Sequence, residues 1–243
     1  SKGNSFGVQH INGGSAMRGK FINIWRREEL IKVLIHQLIH FCGIDIHDYS
    51  TQVLNSHFQK SNAIMKGQEI MPNEAYVEFL AIQILSIYHA HKLQTYFPGV
   101  DVKVISNILL NIEMHFNFMQ LIKILETQSI TITPQIWKNF TLSQTTWVFS
   151  YFFIKTSLLW NLSTVTSPLQ KLQSSLDKLS FNNTAANKKE MGKIMVNSFN
   201  DHKMLQYLIK LQKKLVATKV VDFHSQHLTN NLRMSCIECC FGI

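Results

Sequence analysis

Arg26-Arg27-Glu28-Glu29-Leu30-Ile31-Lys32-Val33-Leu34-Ile35-His36-Gln37-Leu38-Ile39-His40-Phe41-Cys42-Gly43 is the stretch from which the rest of the chain can be read. Apolar residues recur through it at helical steps. Glu28 and Glu29 fall in the first turn, where the helix dipole favours acids, and Gly43 offers the left-handed stop at which helices often end. The spacing predicts a helix with Leu30, Val33, Leu34, Gln37 and Phe41 along its faces. His36 and His40 stand four apart, so they share one face, one turn apart, and their imidazoles can converge on a single metal ion. The pattern is H-E-x-x-H with one change: Gln37 stands at the position of the glutamate.

A second stretch, Met71-Pro72-Asn73-Glu74-Ala75-Tyr76-Val77-Glu78, puts two carboxylates one turn apart on the face of a second helix. Together the two stretches, over about residues 20–92, resemble the gluzincin branch of the zincin metallopeptidases, of which thermolysin is the best known member. The resemblance implies one zinc ion held by His36, His40 and Glu74, with Glu78 holding a ligating histidine from behind. Zinc in catalytic sites takes three protein ligands, His2Glu being one common set, and leaves a fourth position for water. A ligating histidine usually has a carboxylate or carbonyl on its other nitrogen.

In that family the motif glutamate takes a proton from water at the metal, which an amide does not do. The resemblance therefore implies a zinc-dependent metallopeptidase, inactivated at Gln37 and suited to trapping a peptide or protein substrate. The alternative is a natural, catalytically dead zincin-like protein with a binding or structural role. A third reading is an all-helical protein without metal, in which His36 and His40 are ordinary core residues. Peptide hydrolysis also needs a donor for the oxyanion. The family uses Tyr or His there, and Tyr49, Tyr76, His224, His227 and Arg233 are the candidates in this chain. Arg26, Arg27 or Arg233 could read the carboxylate of an acidic or C-terminal peptide segment. Large DNA viruses encode protease-like proteins of this look, and the Ile-, Asn- and Lys-rich composition suits an AT-rich genome.

Composition narrows the class. The 243 residues are 46% hydrophobic and 16% charged, enough for a sizeable core and far from a disordered chain. Four prolines and ten glycines favour long helices over a turn-rich all-β fold. The expected class is α+β, mostly α-helical. A zincin-like metal-binding part over 1–97 (edge strands, active-site helix and Glu-bearing helix) is joined by a helical part over 98–243, the two forming one catalytic unit. The net charge of +9 lacks a dense arginine stripe with interleaved aromatics, which argues against specific nucleic-acid binding. Cys236 and Cys239 have C-x-x-C spacing, but Cys42 and Cys240 do not complete a second pair, so free thiols in a reducing, intracellular setting such as host cytoplasm or virion are expected. The chain opens on Ser, as a trimmed or processed product would, and shows no signal peptide.

Along the chain, residues 8–16 are expected to form an edge strand for substrate, and Phe21–Trp25 a second strand. Residues 44–70 read as a polar connection in which Asp45, His47, Asp48 and Tyr49 cap and solvate the loop. Helices are expected over 73–94, with His89 and His91 near its C-terminal end, and over 101–126 after the Pro98-Gly99 turn. Ile130–Thr133 is β-prone. Residues 135–159 read as a buried helix, too short and too interrupted by Lys155 to span a membrane, which needs about twenty apolar residues. An amphipathic helix over 168–179, a mobile loop over 181–189 and a last helix over 201–217 complete the expectation.

Overall fold

The computed structural model describes residues 11–46, 56, 70–133, 136, 142–174, 180–218 and 232–238. The expected positions Tyr49, His224 and His227, and the loop residues His47 and Asp48, lie outside them. The fold is mostly helical with one two-stranded sheet. Strands β1 (Gly14–Met17) and β2 (Phe21–Ile24) pair antiparallel, with Gly14 opposite Ile24 and Met17 opposite Phe21. The paired part of the edge therefore sits later than expected. Trp25 leaves β2, and its indole N–H donates to the Asn12 carbonyl at 2.9 Å.

A short 3-10 turn, Arg27–Glu29, leads into helix α1 (Leu30–Cys42). Gly43 ends it at φ 69°, and the Gly43 and Ile44 N–H groups close onto the carbonyls of His40 and Ile39 at 3.1 and 3.0 Å. Val33, Gln37 and Ile39 turn inward, whereas Leu30 and Leu34, expected to line its faces, remain well exposed. The sheet lies directly on this helix. A Cβ at Gly14 would stand 2.7 Å from the Asn23 carbonyl oxygen and 2.8 Å from Val33 Cγ1, so a side chain there would hold β1 off the helix. Glu29 is not a solvent-facing dipole acid: it is fully buried and receives Arg26 at 3.1 Å.

Helix α2 (Pro72–Gln94) begins with Pro at its first position, where the missing N–H is no loss. Ala75, Val77, Phe79, Ala81, Ile82 and Leu85 are buried, while Ile84, Ile87 and Tyr88 face outward, so one side of the helix meets solvent. It returns through a turn at 95–101 into α3 (Val102–Thr127), whose first turn is capped by the Asp101 carboxylate accepting from Lys103 N–H at 2.7 Å. His89 is buried, while His91 and His115 are exposed and away from any ligand set.

The remaining elements depart further from expectation. Ile130–Thr133 pairs with no strand among the described residues. The expected buried helix is wound as a π-helix over Phe149–Ile154 before continuing as α4 (Lys155–Trp160). Lys155 does not interrupt it toward solvent but is fully buried. Helix α5 is Leu162–Lys171 with Pro168 inside it, earlier than the predicted span. The predicted loop over 181–189 contains the start of α6 (Ala185–Phe199), where the Thr184 hydroxyl accepts from Asn187 N–H at 3.2 Å. The last of the described helices, α7 (His202–Thr218), lies where a helix is expected over 201–217 and buries Met204, Leu205 and Leu208. One apolar core joins residues of α2 and α3, such as Phe79 and Phe118, to Phe149, Phe152, Met195 and Phe199. No helix among the described residues is long and apolar enough to cross a membrane.

Candidate metal centre

Helices α1 and α2 pack against each other and bring His36, His40 and Glu74 together. His36 Nε2 lies 3.1 Å from His40 Nε2 and 3.4 Å from Glu74 Oε2, and His40 Nε2 lies 3.5 Å from Glu74 Oε1. Ligands about 2.0–2.2 Å from a tetrahedral zinc ion stand about 3.3 Å apart; the two imidazole nitrogens have about that spacing, and each has a different Glu74 oxygen at a similar distance. The outer nitrogens each lie beside a carboxylate, His40 Nδ1 in a hydrogen bond and His36 Nδ1 in an ion-pair contact. His36 Nδ1 is 2.6 Å from Glu78 Oε1, and His40 Nδ1 is 2.8 Å from Asp45 Oδ2. A carboxylate at that position calls for an N–H, which in the neutral ring leaves each Nε2 as a lone pair. Two lone pairs and the Glu74 carboxylate then converge on one point, an arrangement that repels itself unless a cation occupies the middle.

The electrostatics agree. Burial is the largest influence on Glu74 and would raise its pKa, but hydrogen bonds and charges from His36 and His40 hold it well below the usual carboxylate range. Burial alone would lower His40, yet Asp45 and Glu74 together raise it to about 10. Without a metal, a proton takes the cationic place. Burial also pushes Glu78 up, but Lys32, His36 and Lys155 hold it well below its ordinary value. Lys32 forms a short ion pair with Glu78 Oε1, and Lys155 Nζ lies 3.6 Å from Glu78 Oε2.

Two members of the site were not read from the sequence. Asp45 was assigned to a solvated loop, but it is buried against His40. Its backbone carbonyl receives Asn183 Nδ2 at 3.3 Å, and the neighbouring Ile44 carbonyl receives the Phe181 N–H at 2.9 Å, so the segment before α6 fixes it. Tyr151, on the π-helix, donates its hydroxyl to Glu74 Oε2 at 3.0 Å. Burial, then the charges of Glu74 and Glu78, push that phenol well above its ordinary pKa, so it stays protonated. The aromatic richness of 147–153 was visible, but nothing in it pointed to a partner 77 residues away.

Of the expected oxyanion donors, Tyr76 is a core residue on the far side of α2 from Glu74, packed edge-on against Phe181 with ring centroids 5.9 Å apart. Burial pushes its phenol up to about 12. Arg233 sits half-buried, and its charge, second to burial, helps lower Lys123 on α3 to about 8. Gln37 is buried next to the triad. With His36, Tyr151, Gly13, Gly14 and Met234 it lines a cavity of about 30 Å³, room for about one water molecule.

With this geometry in hand, the comparisons with known proteins are sparse. A segment of 84 residues, 35% of this chain, is 30% identical to the uncharacterized protein R210 of Acanthamoeba polyphaga mimivirus, of which the match covers 20%. This chain therefore aligns with only a fifth of that protein's length. No protein-family model and no solved structure matches.

Proposed function

We propose that the chain is a zinc-binding protein of metallopeptidase type that holds a peptide segment beside the ion and does not cut it, because Gln37 stands where the proton acceptor belongs. The observation that carries this is the convergence of His36 Nε2, His40 Nε2 and a Glu74 carboxylate at 3.1–3.5 Å while the outer histidine nitrogens face Glu78 and Asp45. Zinc bound there supplies Lewis acidity, making water acidic near neutral pH and polarising a carbonyl. The chain's own groups divide the remaining work. Gln37 lines the water-sized cavity, but its amide accepts no proton at neutral pH. Tyr151 keeps its proton and is placed beside Glu74, where it can donate to an oxygen that gains negative charge. The edge of β1 away from β2 offers main-chain groups for strand addition by an extended peptide. The mimivirus match supports a viral origin.

Metal content and a single reversion test the reading. The purified protein should hold one zinc per chain, and Glu74→Ala should abolish it. Zinc-loaded Gln37→Glu should cleave members of a diverse peptide library, while the parent chain binds the same peptides uncut. Protein without zinc despite an intact Glu74, or a zinc-loaded Gln37→Glu variant that cuts nothing in the library, would sink the proposal.

A further inference from the structure

Seven residues from the far end of the described chain, Leu232–Glu238, grip the start of α1. Glu29 Oε1 accepts from the N–H groups of Met234 and Ser235 at 2.7 and 3.1 Å. Glu113 Oε1, on α3, accepts from the Ser235 hydroxyl and from the Cys236 and Ile237 N–H groups at 2.5, 2.7 and 2.9 Å. Arg26 donates to the Leu232 carbonyl at 3.2 Å. The Glu238 carboxylate accepts from Ile31 and Lys32 N–H at 2.8 and 2.9 Å, capping amides that the open end of α1 leaves without a helical partner. Glu29, Glu113 and Lys155 are each 0% exposed, so this clasp is held by ionisable groups taken wholly out of water. Groups buried in this way are costly unless bonded, and the clasp supplies bonds to all three.

Lys155 belongs to both structures. Its Nζ donates to the Met234 carbonyl at 2.9 Å and lies 3.6 Å from Glu78 Oε2. Glu78 in turn sits 2.6 Å from His36 Nδ1. A chain of polar contacts therefore runs from the clasp through Lys155 and Glu78 to a metal-facing imidazole. Met234 makes a second link, since it lines the same small cavity as His36 and Gln37.

We propose that Lys155 is a positioning residue that couples the clasp 232–238 to the metal centre, so that affinity for the ion depends on the clasp being seated. The proposal rests on the metal reading above. Lys155 orients Glu78, Glu78 orients His36, and the Met234 carbonyl fixes where Lys155 can reach. Losing the clasp carbonyl would let Lys155 turn toward other acids and release the carboxylate behind His36.

The experiment compares full-length proteins by competition for zinc with a calibrated chelator, by circular dichroism, and by the visible absorption of cobalt(II) in the site. Lys155→Met should weaken zinc binding by about 10–100-fold, the usual effect of losing a partner behind a ligand, and should shift the cobalt bands. Lys155→Arg should recover part of the affinity. Glu238→Gln, which loosens the clasp without touching Lys155 or Glu78, should weaken binding severalfold, and it decides the matter if Lys155→Met fails to fold. Lys193→Ala, an exposed change, serves as the control. Wild-type affinity in the folded Lys155 and Glu238 variants overturns the coupling and leaves the metal centre standing. Weaker binding with unshifted cobalt bands and no recovery by Arg also overturns it, because that marks general loosening. A parent protein that takes up no zinc overturns the metal centre itself, a result visible before any variant is made.

Discussion

His36 and His40 can turn their inner nitrogens toward one another because Glu78 and Asp45 hold the outer ones. The consequence for a single residue is a competition between proton and metal at His40. Against burial, Asp45 and Glu74 raise its pKa to about 10, so a metal ion entering at neutral pH would displace a proton. Apparent zinc affinity should therefore rise about tenfold per pH unit as pH climbs toward 10; chelator competition at pH 6, 7 and 8 checks this, and a flat profile contradicts it. Stability of the metal-free chain has its own signs. The raised His40 contributes stability that is complete below its unfolded pKa, about 6.5, and lost as pH rises through about 10. The depressed Glu74 and Glu78 contribute stability present above about pH 4.5 and lost as pH falls. Urea midpoints should peak between those limits and fall on both sides. Tyr151 and Tyr76 make a further contrast. In a Gln37→Glu background, Tyr151→Phe should lower peptide hydrolysis by about a hundredfold with zinc retained, the scale of a lost oxyanion donor, whereas Tyr76→Phe should leave the rate nearly unchanged.

At the scale of elements, β1 and α1 are held in close register by the absence of a side chain at Gly14. Gly14→Val should destabilise the fold by about 1–3 kcal/mol, as overpacking does, and should displace Gln37, whose Cγ lies 3.3 Å from where a Cβ would stand. Thr184→Ala should cost about 1 kcal/mol through the lost cap of α6; both are read from denaturant midpoints. These two elements also show what the sequence could and could not reveal. Helices α1, α2, α3 and α7 are legible because apolar residues recur over many turns; of the triad, spacing alone pairs His36 with His40, and Glu74 is what the resemblance to the gluzincin pattern implies. Helix α6 was hidden: its exposed face is rich in Asn and Lys, and its buried Met191, Met195 and Phe199 were masked by the polar run before them. Lys155 read as a break in an apolar run because its partners, Glu78 and the Met234 carbonyl, lie 77 and 79 residues away in sequence. Asp45 was misplaced for the opposite reason. It is only five residues from His40, and local reading assigned it to solvent, where short polar residues beyond a helix usually are.

For the whole molecule, a run of buried polar contacts reaches from Arg26 through Glu29, the Met234 backbone, Lys155 and Glu78 to His36. An ion that binds only the folded state should stabilise it by about 2.7 kcal/mol at a free concentration one hundred times its Kd. Thermal unfolding with zinc and then with excess chelator should show a reversible change in midpoint, and Glu74→Ala should remove the difference. The clasp adds a consequence in time. Met234 and Ser235 reach back 205 and 206 residues to Glu29. A ribosome making the protein finishes the first helix long before it makes the segment that braces that helix. At about 5–20 residues per second, the interval is on the order of ten to forty seconds. During it, the nascent chain carries both imidazoles without the segment that braces α1, so a clasp-dependent affinity for an ion would be complete only once residues 232–238 have been made.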